Sequence, residues 1–564
     1  MNKIRWRILG AICLLLSLIP LIIAGTVWVS ASQPATSAAV PMQAIQAAVG
    51  LLLDDVQTDN GFRPNPNGYS FPNYGEVNLA DLTVEDLRPI FGDSAVCSSK
   101  PSGVCLYNPV AVQWSDDWNQ AMGGGHCYGM AVTSSRFFAG VDQPSSLQAN
   151  AATTYDLQLA NARRNIASYF VRQGANPAAA YVWHSLNTTP NQVLEQIRNS
   201  FDSPVDSLTI ISLGPGAGHA ITPYSVNDRG NGIVWVMVYD NNHPNDANRH
   251  IEFNMTSNTW SYDLGWITWS GDAVSHNIGV VPYSLNNAVM DCPWCSAQTN
   301  SNFMQLWAIS DAKMLVTDAA GRRFGMAGSD FVSEIPNAYQ TVLITGLPGP
   351  SPAIYNIPIS GTQTLLLNSG VITQPTLMTL SQFGPDYAMT IDGIKLNPAK
   401  QDQVQIAADG KYVAYQASEQ KAVTLTLALA NIPSLSAAGQ TVTATVESYS
   451  FALGGVDIGS NQIVAASVDS AHGTLTFNNA KANEGVYSLE IERTDNQGQR
   501  VFRANGIMIG SSDTQVINYG LWDNTNDNLA PMTLQVDHGS NGTVDNTIQL
   551  QNQAGKTYLP LITR

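Results

Sequence analysis

A thiol, an imidazole and a carboxylate follow one another along this chain in an order suited to acyl chemistry. The sequence has six cysteines. Cys13 lies in an apolar N-terminal run. Cys97 and Cys105 flank a loop containing Pro101 and Gly103 and can close as a local disulfide, and Cys292-Pro293-Trp294-Cys295 reads as a structural disulfide because no strand-to-helix redox context surrounds it. Cys127 is left over. An odd thiol behind a secretory-type leader calls for a reason: a reactive nucleophile supplies one, and a buried cysteine packing as a small hydrophobe is the plain alternative.

Cys127 stands in Gly123-Gly124-Gly125-His126-Cys127-Tyr128-Gly129-Met130. The three glycines let the backbone turn and approach closely, and the apolar spacing over 130–138, stopped by Gly140, predicts a helix with Cys127 at its N-terminus. There, free N–H groups and partial positive charge lower a thiol's pKa and can bind an oxyanion. A thiolate also needs a base, and the base needs an orienting group. Residues 207–213 read as a buried strand, 219–226 as a second strand opening on His219, 228–232 as a turn, and 233–239 as a third strand that delivers Asp240 at its end. An antiparallel hairpin then sets His219 beside Asp240. Singly, a His after Gly reads as a structural histidine and Asp240-Asn241-Asn242 as turn chemistry; the conjunction reads as nucleophile, base and orienting carboxylate.

On Gly125-His126-Cys127-Tyr128-Gly129-Met130, Gly218-His219-Ala220-Ile221-Thr222-Pro223-Tyr224 and Val238-Tyr239-Asp240-Asn241-Asn242 with Pro244, the chain resembles the papain-like cysteine peptidase superfamily, especially its bacterial branch of bacteriocin-processing peptidases and transglutaminase-like proteins. The resemblance covers roughly residues 78–269. It implies an α+β papain-like domain, in which a nucleophile helix packs on an antiparallel sheet, attack on an acyl carbonyl, and peptide or protein substrates. It also implies a side-chain oxyanion donor shortly before the nucleophile. Gln120 precedes Cys127 by seven positions and takes that role, with Asn119 as the neighbour that can substitute. Tyr128 stands where papain-type peptidases often carry Trp, and Asp240 where the plant and lysosomal branch carries Asn. Two rival readings share this scaffold: a noncatalytic surface-binding protein, and an acyl transferase that crosslinks.

The elements that must position these residues are legible around them. Residues 154–174 and 189–198 read as amphipathic helices, the second opening on Thr189-Pro190. Residues 82–91 read as a short helix and 60–74 as loop. His126, His243 and His250 with Asp240 and Asp246 match no zinc spacing, so no metal and no cofactor is expected. Residues 537–545 lack the alternating carboxylates of a calcium loop and read as a turn.

Lys3, Arg5 and Arg7 precede an apolar run over 8–29 that ends in Val29-Ser30-Ala31, the layout of a secretory signal; uncleaved, the same run would anchor the chain in a membrane. Either way the remainder is expected to be secreted or otherwise extracytoplasmic. The chain has 564 residues, 12% charged, with a net charge of -17, which argues against a nucleic-acid partner because phosphate binding needs clustered Lys and Arg. The expected organisation is a signal or anchor (1–31), a linker (32–77), the α+β domain (78–290), then a β-rich domain (291–432) and a β-sandwich-like domain (433–564), with a break near 430–439. These all-β, sandwich-like domains could bind a cell-surface polymer.

Overall fold

In the computed structural model, the described residues are 59–75, 81–201, 208–214, 217–296, 302–347, 352–368, 370, 372–435, 441–480, 484–522 and 530–554. The expected leader, most of the linker and the C-terminal tail after 554 lie outside them. The architecture is mixed α/β, with a helical N-terminal part and many antiparallel sheets.

Five helices of eight residues or more are described: α1 (Pro109–Ala121), α2 (Cys127–Phe138), α3 (Leu159–Phe170), α4 (Ala178–Ser185) and α5 (Pro190–Phe201). The Asn108 side chain accepts the Val110 N–H and Pro109 occupies the first turn, which together start α1. The stretch read as one helix over 154–174 is three pieces, because 3-10 turns at Thr154–Asp156 and Val171–Gly174 bracket α3. Pro190 opens α5 as expected. The segment read as loop over 60–74 carries one helical turn, Pro64–Asn67, and the segment over 82–91 is a 3-10 turn followed by a short α-helical one.

A small ribbon pairs β1 (Cys97–Ser99) with β2 (Leu106–Tyr107), and the Cys97–Cys105 disulfide closes it. The seven-stranded sheet that follows comprises β3 (Leu208–Gly214), β4 (Ala217–Gly230), β5 (Ile233–Tyr239), β6 (His250–Asn254), β7 (Thr259–Asp263), β8 (Thr268–Gly271) and β9 (Ile278–Pro282), in the order β8-β7-β6-β5-β4-β3-β9, all antiparallel. Strand β4 runs on to Gly230, so the predicted turn shortens to Asn231-Gly232. Period-two alternation divides the faces. Ile211, Ala220 and Val281 share a core with α2, whereas Ile210, Ile221, Val236, Val238 and Val280 share one with Val193, Leu194 and Ile197 of α5.

Beyond Cys295, which pairs with Cys292, two antiparallel sheets of nine and eleven strands enclose one continuous apolar core. The chain passes between the sheets in short meanders. The boundary expected at 432–433 falls inside the strand Lys421–Leu435, which pairs with Tyr387–Leu396 on one side and Thr441–Ile458 on the other. Both expected β segments therefore contribute to the same pair of sheets.

Helix α1 ties the halves together. Trp114 and Trp118 meet Trp307 of the nine-stranded sheet at ring separations of 6.5 and 5.0 Å, and Trp114 meets Trp294 at 5.3 Å. Each buried indole contributes an upper estimate of about 5 kcal/mol from apolar area. This contact fixes the β sandwich against the helical layer, and that placement matters for the site.

Candidate active site

Cys127 is the first residue of α2, as its spacing predicts, and it is fully buried. His219 lies on β4 and Asp240 directly follows β5, so the β4–β5 hairpin brings the two together. His219 Nε2 bonds Asp240 Oδ1 at 2.8 Å, and both side chains are fully buried. A carboxylate only accepts, so Nε2 donates to Oδ1 and Nδ1 is the ring nitrogen left outside this pair. Nδ1 is buried and has no hydrogen-bond partner.

Asp240 is held from several sides. Tyr262 of β7 donates its hydroxyl to Oδ2 at 2.5 Å, the Asn242 N–H donates to Oδ1 at 2.8 Å, and Arg249 lies 3.7 Å away. Burial alone would raise this carboxyl, but the His219 charge and hydrogen bond, with Tyr262 and the Asn242 N–H, hold it below the usual carboxylate range. The same burial, and the Asp240 charge, push the Tyr262 hydroxyl well above its ordinary value.

The thiol faces the strand that carries the histidine. The Ala220 N–H donates to it, and Asn241 Nδ2 bridges the Cys127 and Ala220 carbonyls at 3.2 and 2.8 Å. Burial nonetheless pushes the Cys127 thiol far above its ordinary value, and the nearby Asp240 charge adds to the rise. In this enclosed state the group is a neutral thiol.

What encloses it comes from the β sandwich. Residues 342–347 belong to the connection between the strands Tyr339–Thr341 and Ala353–Pro358 of the nine-stranded sheet, and they cross the cleft between Gly124 and Gly218. The Thr345 carbonyl accepts the Cys127 N–H at 3.3 Å and Asn73 Nδ2 at 2.9 Å. Asn73 is itself fixed, because its Oδ1 accepts the His126 N–H at 2.7 Å. The glycines before Cys127 permit this approach: a Cβ on Gly125 would fall 2.2 Å from the Thr345 oxygen, and Gly125 also has φ +112.

The structure does not bring Gln120 to this site. It is exposed near the C-terminal end of α1, while Asn119 bonds Leu82, so neither serves as the oxyanion donor expected of it. Asn73 stands beside the Cys127 N–H instead. It lies in a Pro- and Asn-rich loop, and no local pattern distinguishes it from its neighbours. Tyr262 and residues 342–347 carry no sequence signal either. His126 bonds the Tyr74 carbonyl at 2.7 Å and lies 3.2 Å from Asp81, and His243 bonds the Leu264 carbonyl at 3.1 Å.

The arrangement joins a buried thiol at a helix N-terminus, an imidazole hydrogen-bonded to a buried carboxylate, and two N–H donors converging on a carbonyl oxygen. Comparison with known protein families, with curated proteins and with solved structures finds no match for this chain.

Proposed function

We propose that this chain is an exported thiol hydrolase of the papain-like kind, acting on peptide or protein substrates through an acyl-enzyme. Cys127 is the nucleophile, His219 the base, Asp240 the group that orients the base, and Asn73 with the Cys127 N–H the oxyanion site. The observation that carries this reading is the buried His219–Asp240 pair, whose free Nδ1 belongs to the residue before the one that donates to the thiol. An unpaired ring nitrogen in a protein interior loses on the order of 1–3 kcal/mol, which a purely structural histidine would avoid. The β sheets are the part suited to binding a cell-surface polymer.

The test is alkylation of Cys127 by iodoacetamide across pH 5–9, located by mass spectrometry, in a chain whose cleft is opened by Gly346→Val and in the same chain carrying His219→Ala. Labelling that stays fast below about pH 7 and slows at least tenfold without His219 supports a histidine-activated thiolate. Equal and slow labelling in both sinks the proposal. The filled cleft favours a second reading, a noncatalytic binding protein on the same scaffold; full target adhesion in Cys127→Ala would favour it. Product that forms only with added amine would mark a transferase.

A further inference from the structure

The candidate nucleophile is covered by the protein's own backbone, held through its N–H and C=O groups. Ile344 N–H donates to Gln173 Oε1 at 2.8 Å, Gly346 N–H to the Gly218 carbonyl at 2.8 Å, and Leu347 N–H to the Gly124 carbonyl at 3.2 Å. In return Asn242 Nδ2 donates to the Gly346 carbonyl at 2.8 Å, and Asn73 and Cys127 donate to that of Thr345. Each of these bonds ends on a backbone group of the segment, so the cleft holds the main chain rather than side chains.

Two of these anchors single out one bond. The Thr345 oxygen occupies the two-donor position where negative charge develops when a carbonyl is attacked. Gly346 rests against the nucleophile: a Cβ there would fall 2.7 Å from Cys127 Cβ and 2.8 Å from Sγ, and the residue has φ +86. Only glycine fits, and the Thr345 carbonyl carbon is the atom bonded between these two anchors.

We propose that Cys127 cuts the Thr345–Gly346 peptide bond within the same molecule, dividing the chain into 1–345 and 346–564 and uncovering the cleft. This rests on the triad reading above and names its first substrate. His219 Nδ1 takes the Sγ proton as sulfur bonds to the Thr345 carbonyl carbon. The carbon–nitrogen bond then breaks, and His219 returns the proton to the Gly346 nitrogen. Water hydrolyses the thioester, regenerating the thiol and leaving a Thr345 carboxylate and a Gly346 amine; the balance is one water for one peptide bond. The two fragments stay paired, because Tyr339–Thr341 and Ala353–Pro358 remain neighbours in the sheet. Later substrates are peptides with glycine on the leaving side, where the backbone takes a positive φ.

The experiment incubates purified wild type, Cys127→Ala and His219→Ala at pH 5–8 and follows them by denaturing gel, intact mass and N-terminal sequencing. The expected result is a fragment beginning Gly346-Leu347-Pro348 in wild type, absent in Cys127→Ala and formed at least a hundredfold more slowly in His219→Ala, with all three chains showing the same circular dichroism. Wild type that stays intact, a new terminus elsewhere, or cleavage that persists in Cys127→Ala overturns the proposal. If wild type stays intact while the Gly346→Val chain shows histidine-dependent labelling of Cys127, the triad reading survives and self-cleavage alone fails. If that chain is inert as well, both fall.

Discussion

Thr345 presents its carbonyl oxygen to the backbone N–H of Cys127 at 3.3 Å, so the two residues that define the closed cleft are 218 positions apart and belong to different layers of the fold.

Gly346→Val sets a side chain where the Cys127 side chain already lies and puts a β-branched residue at a positive φ. The segment must lift from the cleft. Alkylation of Cys127 under native conditions should rise at least tenfold over wild type that is still intact by mass. An unchanged rate would mean that the segment does not control access.

Asn73→Ala removes one of the two donors to the Thr345 oxygen and the acceptor of the His126 N–H. Loss of one oxyanion donor costs about 10²–10³ in rate, so the appearance of the Gly346 terminus should slow by that factor. Stability should fall by about 1–3 kcal/mol in a denaturant titration, because the His126 N–H is left buried without a partner. Gln120→Ala should change neither measurement.

Asp240 has its carboxyl held below the ordinary range in the folded chain. A depressed carboxylate stabilises the fold fully above its unfolded value, near pH 4, and that contribution is lost as pH falls through the lower folded value. Asp240→Asn should therefore lower the melting temperature at pH 6, and the gap to wild type should narrow below pH 4. A gap independent of pH would show that the charge is not what stabilises.

Asp117 of α1 behaves in the opposite sense. Burial pushes its carboxyl up to about 7, helped by the Asp392 and Asp116 charges and opposed by Ser381 and Gln113. Between about pH 4 and 7 the folded chain keeps a proton that the unfolded chain has released, so stability falls as pH rises, by up to about 1.4 kcal/mol per pH unit. Asp117→Asn should flatten this slope and raise the melting temperature at pH 8 relative to wild type. Equal slopes in both chains would refute the assignment.

The local features were legible because each follows from a short stretch of chain. Gly-rich residues before an apolar 3.6-residue repeat mark where α2 begins, so Cys127 could be placed at its first position. Apolar runs separated by the turn residues 228–232 mark the β4–β5 hairpin, which the structure tightens to Asn231-Gly232, and strand length then sets His219 against Asp240. The disulfides at Cys97–Cys105 and Cys292–Cys295 are equally local. The breaks in the helix expected over 154–174 are not legible in this way, because the 3-10 turns flanking α3 leave the apolar spacing almost unchanged.

Local sequence suffices for which chemical groups are present, which of them lie within one hairpin or one helix turn of each other, and that the second half is built of β-strands. Tertiary structure alone decided the rest. Asn73 rather than Gln120 lies beside the Cys127 N–H, because a loop with no periodicity is placed only by what it packs against. Tyr262 reaches Asp240 only because β7 is two strands from β5 in the sheet order. Residues 342–347 cross the cleft only because the indoles of α1 dock the sandwich against the helical layer. Contacts between distant parts of a chain depend on the summed packing of both, and no local pattern encodes that sum.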